Sequence, residues 1–289
     1  FWGHLNLLKG GIVFSDVVTT VSPTYAREVC TPEFGWGLEA VLANRGADFV
    51  GILNGVDTQE WNPATDPHLP QNYSADNWSE GKATCKSKLQ SRFGLHTDPR
   101  APLFSMVSRL TDQKGLDLIA AKLPELLNDG AQVAFLGTGE QRYESFVKEA
   151  AAHHPQQVAA TVGFDDSLAH QLEAGADMFL MPSKFEPCGL NQQYSMRYGT
   201  PPIVHAVGGL ADSVLDPSRA TGLGCKATGF VFDRYDAGAF LDKSREALRT
   251  YRDRDAWNQI VVSGMRRDCS WRASALRYLE QYERALARH

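Results

Sequence analysis

The sequence predicts an α/β protein built on a doubly wound parallel sheet, and two observations carry that prediction. From Pro102 onward, short apolar runs alternate with helical stretches. The runs are near-continuously apolar rather than alternating, the pattern of strands covered on both faces. Right-handed crossovers between parallel strands then place helices on both sides of the sheet.

Each element follows in order. Residues 1–56 carry mixed short elements, LLKGGIVFSDVVTTVS and then the turn-rich PTYAREVCTPEFGWG. Residues 57–100 are polar and broken by Pro63, Pro67, Pro70 and Pro99, which reads as a linker with one helix near 79–93. Strands are expected at LFSMVS (103–108), QVAFLG (132–137), VAATVG (158–163), DMFLMP (177–182), PPIVHA (201–206) and GFVF (229–232). Helices are expected between them at 115–128, 140–153, 167–175, 190–199 and 208–215. The tail, 236–288, reads as helical through Trp257, Trp271, Leu276, Leu279 and Tyr282.

Composition narrows the function. With 289 residues, 43% hydrophobic and 22% charged, the chain suits one large or two small domains. A net charge of -5 and the lack of any Lys/Arg-rich run argue against nucleic acid and anionic membrane as partners. No apolar stretch approaches the ~18 residues of a membrane span. Cysteines at 30, 85, 188, 225 and 269 are odd in number, widely spaced and without C-x-x-C. They suggest a reducing compartment rather than a disulfide frame or a cysteine zinc site. The chain begins at Phe1 without Met, and it reads as a fragment that says nothing of targeting.

In a parallel α/β sheet, ligands bind beyond the carboxyl ends of the strands. After strand 103–108, Arg109 and Lys114 suit an anion, though a solvated Arg and a helix-flanking Lys fit as well. After 132–137, Gly137-Thr138-Gly139-Glu140 is either a phosphate or sugar contact or only a tight turn. After 158–163, Phe164 suits stacking on a nucleobase or the edge of the core. Asp165-Asp166 reads as a helix start, with Ser167 another capping candidate. After 201–206, Gly208 and Gly209 offer backbone N–H groups at a helix start, and His205 reads as a satisfied loop histidine.

The stretch PSKFEPCGLNQ (182–192) raises the sharpest question. An apolar run, Met178 to Met181, breaks at Pro182, and Glu186 follows between Phe185 and Pro187 before Gly189 opens a helix. A rigid turn aims its carboxylate, either at a ligand or simply at solvent. Cys188 reads as a small buried residue, since no base stands beside it in sequence.

Together, SRLTDQKGLDL, PSKFEPCGLNQQYSMRYGTPPIV and VGGLADSV resemble the carboxyl-terminal half of bacterial glycogen synthases and plant starch synthases. So do VSPTYAREVCTPEFGWGLE (21–39) and ILNGVDTQEWNPATD (52–66), in the same order along nearly the whole chain. The resemblance implies the GT-B architecture, two Rossmann-like domains across a cleft, here one complete and one partial. It implies a retaining transfer of glucose from ADP-glucose to the non-reducing end of an α-1,4-glucan, with no metal and no cofactor. It also implies a bacterial cytoplasmic or plastid stromal location.

Carried over by position, the resemblance puts the diphosphate-binding cations on Arg109 and Lys114 and the essential glutamate on Glu186. Donor contacts fall on Asn54, Phe164, Cys188, Gly189, Leu190, Gly208, Gly209 and Leu210. Tyr194 stands where a neighbouring group of retaining enzymes has a second glutamate, which favours the glucan synthases. The implied domains are a remnant of the acceptor-side domain (1–56), a linker (57–100), a nucleotide-sugar domain (101–270) and a terminal helix (271–289) that packs back on the remnant. The family's K-x-G-G-L donor loop is absent, for Lys9-Gly10-Gly11-Ile12 only superficially resembles it. The isolated chain is therefore expected to be inactive. Another donor or acceptor, or a non-catalytic binding module, stays open, as does oligomeric state.

Overall fold

A computed structural model describes residues 3–220 and 226–289. Within these residues the chain forms two parallel sheets of unequal size. The smaller pairs β1 (Val18–Thr20) with β2 (Phe49–Gly51), accompanied by α1 (Leu7–Phe14), α2 (Pro23–Glu28), α3 (Pro32–Gly35) and α4 (Glu39–Ala43). Then α5 (Trp78–Phe93) leads into the larger sheet.

That sheet alternates β3 (Leu103–Val107), α6 (Leu116–Asn128), β4 (Gln132–Gly137), α7 (Gln141–His153), β5 (Val158–Val162), α8 (Asp166–Gly175), β6 (Met178–Met181), α9 (Asn191–Arg197), β7 (Pro202–His205), α10 (Gly208–Ser213) and β8 (Phe230–Phe232). The tail forms α11 (Ala237–Arg252), α12 (Arg254–Met265) and α13 (Trp271–Leu286). Every expected strand and helix from Pro102 onward is present. The helix expected to open at Gly189 begins two residues later, because Gly189 adopts φ +68, outside the helical region.

The six strands run in the order β5-β4-β3-β6-β7-β8, all parallel. Their side chains alternate between two apolar layers. Phe104, Met106, Val133, Phe135 and Phe230 meet α6, α7, α11 and α12 on one face. On the other face, Leu103 and Leu136 pack with Leu89, Leu168 and Leu172 of α5 and α8, while Phe179 and Val204 pack with Leu210 of α10. Burial on both faces is why the strands read as unbroken apolar runs.

Residues 57–100 lie against this sheet rather than hanging between units. Tyr73 is 2% exposed and donates its hydroxyl to Tyr198 O at 2.7 Å. Lys82, also buried, donates to Ala174 O at 2.9 Å and Thr200 Oγ1 at 2.6 Å. These polar anchors act beside apolar ones, Leu89 and Leu95, which are buried against the sheet. The smaller unit is clamped from two directions. Asp212 of α10 accepts from Ser22 Oγ (2.7 Å) and Thr24 N (2.8 Å) at the start of α2. From the other end of the chain, α13 bonds back through Ser274 Oγ to Leu53 O at 2.6 Å and Arg284 to Asp48 at 3.2 Å.

Candidate functional site

The strand order reverses direction between β3 and β6, and the open crevice of such a sheet lies at that reversal, beyond the carboxyl ends. The loops after these two strands carry Arg109, Lys114 and Glu186, and they are locked together. Gly115 adopts φ +77, and a Cβ there would meet Pro182 O at 2.1 Å. Lys184 N donates to Gln113 O at 2.8 Å, and Gln113 Nε2 to Phe185 O at 3.2 Å.

On this frame Lys114 Nζ donates to Glu186 Oε2 at 2.5 Å, and Ser183 Oγ donates to the same oxygen at 3.1 Å. Glu186 is 7% exposed, so its carboxyl group meets Lys114 and Ser183 rather than bulk water. The turn is also braced from behind. Gly208 adopts φ +42, and a Cβ on it would meet Glu186 O at 2.0 Å, while Gly209 N donates to that oxygen at 3.0 Å.

Two hollows open in front of these groups. One, of about 230 Å³, is lined by Arg109, Lys114, Ser183, Glu186, Gly189 and Leu190. The other, of about 320 Å³, is lined by Gly137, Thr138, Phe164, Glu173 and Tyr194 among others. Val107, Ser108, Arg109 and Asn191 belong to both, so the hollows are two lobes of one cleft with the guanidinium on their common rim. Arg109 is exposed and donates to Gln113 Oε1 at 3.0 Å. Neither the Gly189 nor the Leu190 amide donates a hydrogen bond among the described residues, leaving two N–H groups beside Glu186.

The remaining expected residues divide. Phe164 is 92% exposed on the lip of the larger lobe, so it is not a core aromatic. Asp165 caps α8, accepting from Leu168 N at 2.8 Å. Gly208, Gly209 and Leu210 do not present free amides. Gly208 N donates to Glu28 Oε1 at 2.9 Å, Gly209 N to the Glu186 turn, and Leu210 N to Val207 O at 3.0 Å. The carboxylate of α2 fills the seat expected for an anion, a contact that sequence spacing does not reveal. Burial raises the Glu28 carboxyl above its usual range, and the bond from Gly208 only partly offsets this.

Asn54 and Cys188, expected as donor contacts, line neither hollow. Asn54 O accepts from Gln193 Nε2 at 3.2 Å, and the Cys188 thiol is buried, which pushes its proton affinity up. His205 is held by Ser183 O at 2.9 Å, as its reading as a satisfied histidine requires.

Two lining residues, Trp61 and Glu173, escaped the sequence reading. Trp61 stacks between Tyr194 (3.8 Å between centroids) and His170 (4.0 Å), forming an aromatic wall of the larger lobe. The W-N-P after N-G-V-D was the available signal. Burial, with Glu60 and Glu173 nearby, pushes the Tyr194 hydroxyl up to about 12. Glu173 is 1% exposed, and burial holds its carboxyl well above the usual range. Its Oε2 has no partner.

Residues 87–261 match the family described as Glycosyl transferases group 1, and residues 1–44 match the Starch synthase catalytic domain. The chain belongs to the group 1 glycosyl transferases. It is 52% identical to a glycogen synthase of Anaeromyxobacter dehalogenans over 98% of this chain and 58% of that protein. It is 47% identical to glycogen synthase 1 of Methylococcus capsulatus over 99% of this chain and 58% of that one.

Among solved structures, the catalytic domain of starch synthase IV from Arabidopsis thaliana, bound to ADP and acarbose, matches with a TM-score of 0.90. That match is 38% identical and covers 98% of this chain and 58% of that structure. A sucrose-phosphate synthase from Thermosynechococcus elongatus, 18% identical with a TM-score of 0.65, shares the fold. The GT-B architecture expected from the sequence is therefore present in this family member. The chain spans about 58% of the relatives it matches. Among the described residues, no helix is long and apolar enough to cross a membrane.

Proposed function

We propose that the chain is the donor-side part of a glycogen or starch synthase that moves glucose from ADP-glucose to the non-reducing end of an α-1,4-glucan with retention. The observation that carries this reading is the meeting of Arg109, Lys114 and Glu186 around one hollow at the sheet's reversal point. The larger lobe, with Phe164 at its lip, takes the nucleoside. Arg109, on the shared rim, and the Gly189 and Leu190 amides hold the diphosphate, and the sugar lies over Glu186.

In the transfer, the bond from C1 of glucose to the diphosphate oxygen breaks. A bond from C1 to a glucan hydroxyl forms on the same face, and the hydroxyl proton goes to the departing phosphate. Arg109 and the Lys114 N–H groups not engaged by Glu186 stabilise the charge that grows on the leaving group. At ~4 Å and an effective dielectric near 20, each such pair is worth roughly 4 kcal/mol. On this account the cations do the work of a metal, and no cofactor is needed. Glu186 binds glucose hydroxyls and favours the positive character at C1. The rigid turn exists to keep the acid aimed there while its ammonium partner fixes its charge.

On the same reading, residues 1–56 with the helix 271–289 belong to the acceptor-side domain, and residues 57–270 to the donor side. The isolated chain then binds ADP weakly and transfers little glucose.

The test is transfer from labelled ADP-glucose by the full-length gene product carrying Arg109→Ala, Lys114→Ala or Glu186→Gln. Each is expected to lose roughly 10²–10³ in turnover with far-UV circular dichroism unchanged. Near-normal turnover in all three rejects the assignment. A panel of ADP-glucose against UDP-glucose settles the donor.

A further inference from the structure

Helix α8 opens with Asp166, and His170 follows four residues later, so both lie on one helical face. His170 is 2% exposed, and its Nδ1 lies 2.7 Å from Asp66 Oδ2. Asp66 is 1% exposed. It also accepts from the Tyr198 hydroxyl at 2.5 Å. With Nδ1 turned to Asp66, the opposite ring nitrogen, Nε2, faces away from that carboxylate. That Nε2 is buried and has no hydrogen-bond partner.

One ligand atom from each of His68, Asp166 and His170 lies within 4.8 Å of the others. The His68 backbone is fixed on both sides, its N–H donating to Asp66 Oδ1 at 2.8 Å and its carbonyl accepting from Gln171 Nε2 at 3.1 Å. Trp61 covers one face of the His170 ring. Two imidazoles and a carboxylate form a donor set for first-row divalent ions. A buried carboxylate behind a ligating histidine is the support such sites use.

We propose that His68, Asp166 and His170 bind a divalent transition-metal ion, with Asp66 orienting His170 from behind and a fourth position open to solvent. Ligand atoms around tetrahedral zinc sit about 3.4 Å apart, given bonds near 2.1 Å. Binding the ion therefore requires the exposed Asp166 and half-buried His68 side chains to rotate inward from the 4.8 Å limit within which the three atoms lie. The ion staples residues 57–72 to α8 at the edge of the larger lobe, where Asp166 already contributes to the lining. This role is separate from glucosyl transfer and does not depend on it.

Equilibrium dialysis of the 289-residue chain against Zn²⁺, with Mg²⁺ as the hard-ion control, tests the site. The expected result is one Zn²⁺ per chain, a raised Tm and no Mg²⁺ uptake. His68→Ala and Asp166→Asn leave the Asp66–His170 pair in place, and each is expected to weaken Zn²⁺ at least about tenfold. Co²⁺ in the native chain should give the visible absorption of a tetrahedral site, lost in both variants. No stoichiometric Zn²⁺, or equal Zn²⁺ in the native chain and both variants, overturns the proposal. The second result would move the metal to the cysteines or elsewhere.

Discussion

The two sheets of this molecule are built to different standards. In the larger, strands β3, β4, β6, β7 and β8 are buried almost end to end, and helices cover both faces. In the smaller, neither three-residue strand has a fully buried side chain. Around the smaller sheet, large apolar side chains face water: Leu7 and Phe14 on α1, Leu276, Leu279 and Leu286 on α13. A closed core stabilises itself, whereas the smaller unit depends on what it touches. It nevertheless supplies Glu28 and Asn54 as hydrogen-bond acceptors to Gly208 and Gln193, so the better-built half is not self-sufficient at its site.

The sharpest way to break this comparison is at Gly115, deep in the larger unit. Gly115→Ala forces a Cβ against Pro182 O at a positive φ, so stability should fall by about 1–3 kcal/mol, and the Arg109 and Glu186 loops should separate. Urea unfolding with an unchanged midpoint would contradict the tight joining of those loops.

Glu173 gives a second, pH-dependent effect. Its carboxyl is raised in the folded state, so the native chain holds a proton that the unfolded chain has lost above the ordinary glutamate range. That contribution is complete below about pH 4.5 and declines as pH rises toward the folded pKa, by at most about 1.4 kcal/mol per pH unit. Glu173→Gln should flatten the slope and stabilise the chain at neutral pH. Parallel Tm-against-pH curves for the two proteins would show that Glu173 does not hold the proton.

The smallest effect belongs to the smaller unit. Leu276→Ser and Leu279→Ser, at positions 57% and 54% exposed, should change stability by no more than about 0.5 kcal/mol. A large loss of stability would mean that α13 buries more than its exposed face suggests.

Much of this was legible in the sequence, for a physical reason. Strands buried on both faces leave long apolar runs, and chemistry at their carboxyl ends follows from chain direction alone. That Arg109, Lys114 and Glu186 follow the ends of β3 and β6 was therefore readable without coordinates, whereas their roles came only from the family resemblance. What escaped depends on contacts between distant residues. Trp61 meets Tyr194 across more than a hundred positions, and nothing local to either announces the stack. The amides of Gly208 and Gly209 read as open because the competing acceptors, Glu28 and the Glu186 carbonyl, come from elsewhere in the chain. Residues 57–100 read as a linker with one helix, and that helix is present, but the long-range bonds of Lys82, Tyr73 and Asp66 that hold the stretch against the larger unit have no local signal.

The bond from Gly208 to Glu28 reaches further than its length suggests. It crosses from one unit to the other, and its donor residue presses directly on the backbone of the turn that carries Glu186. Losing this bond would free an amide and strand a half-buried acid. The seam between the units and the turn of the candidate site therefore meet at one residue, Gly208.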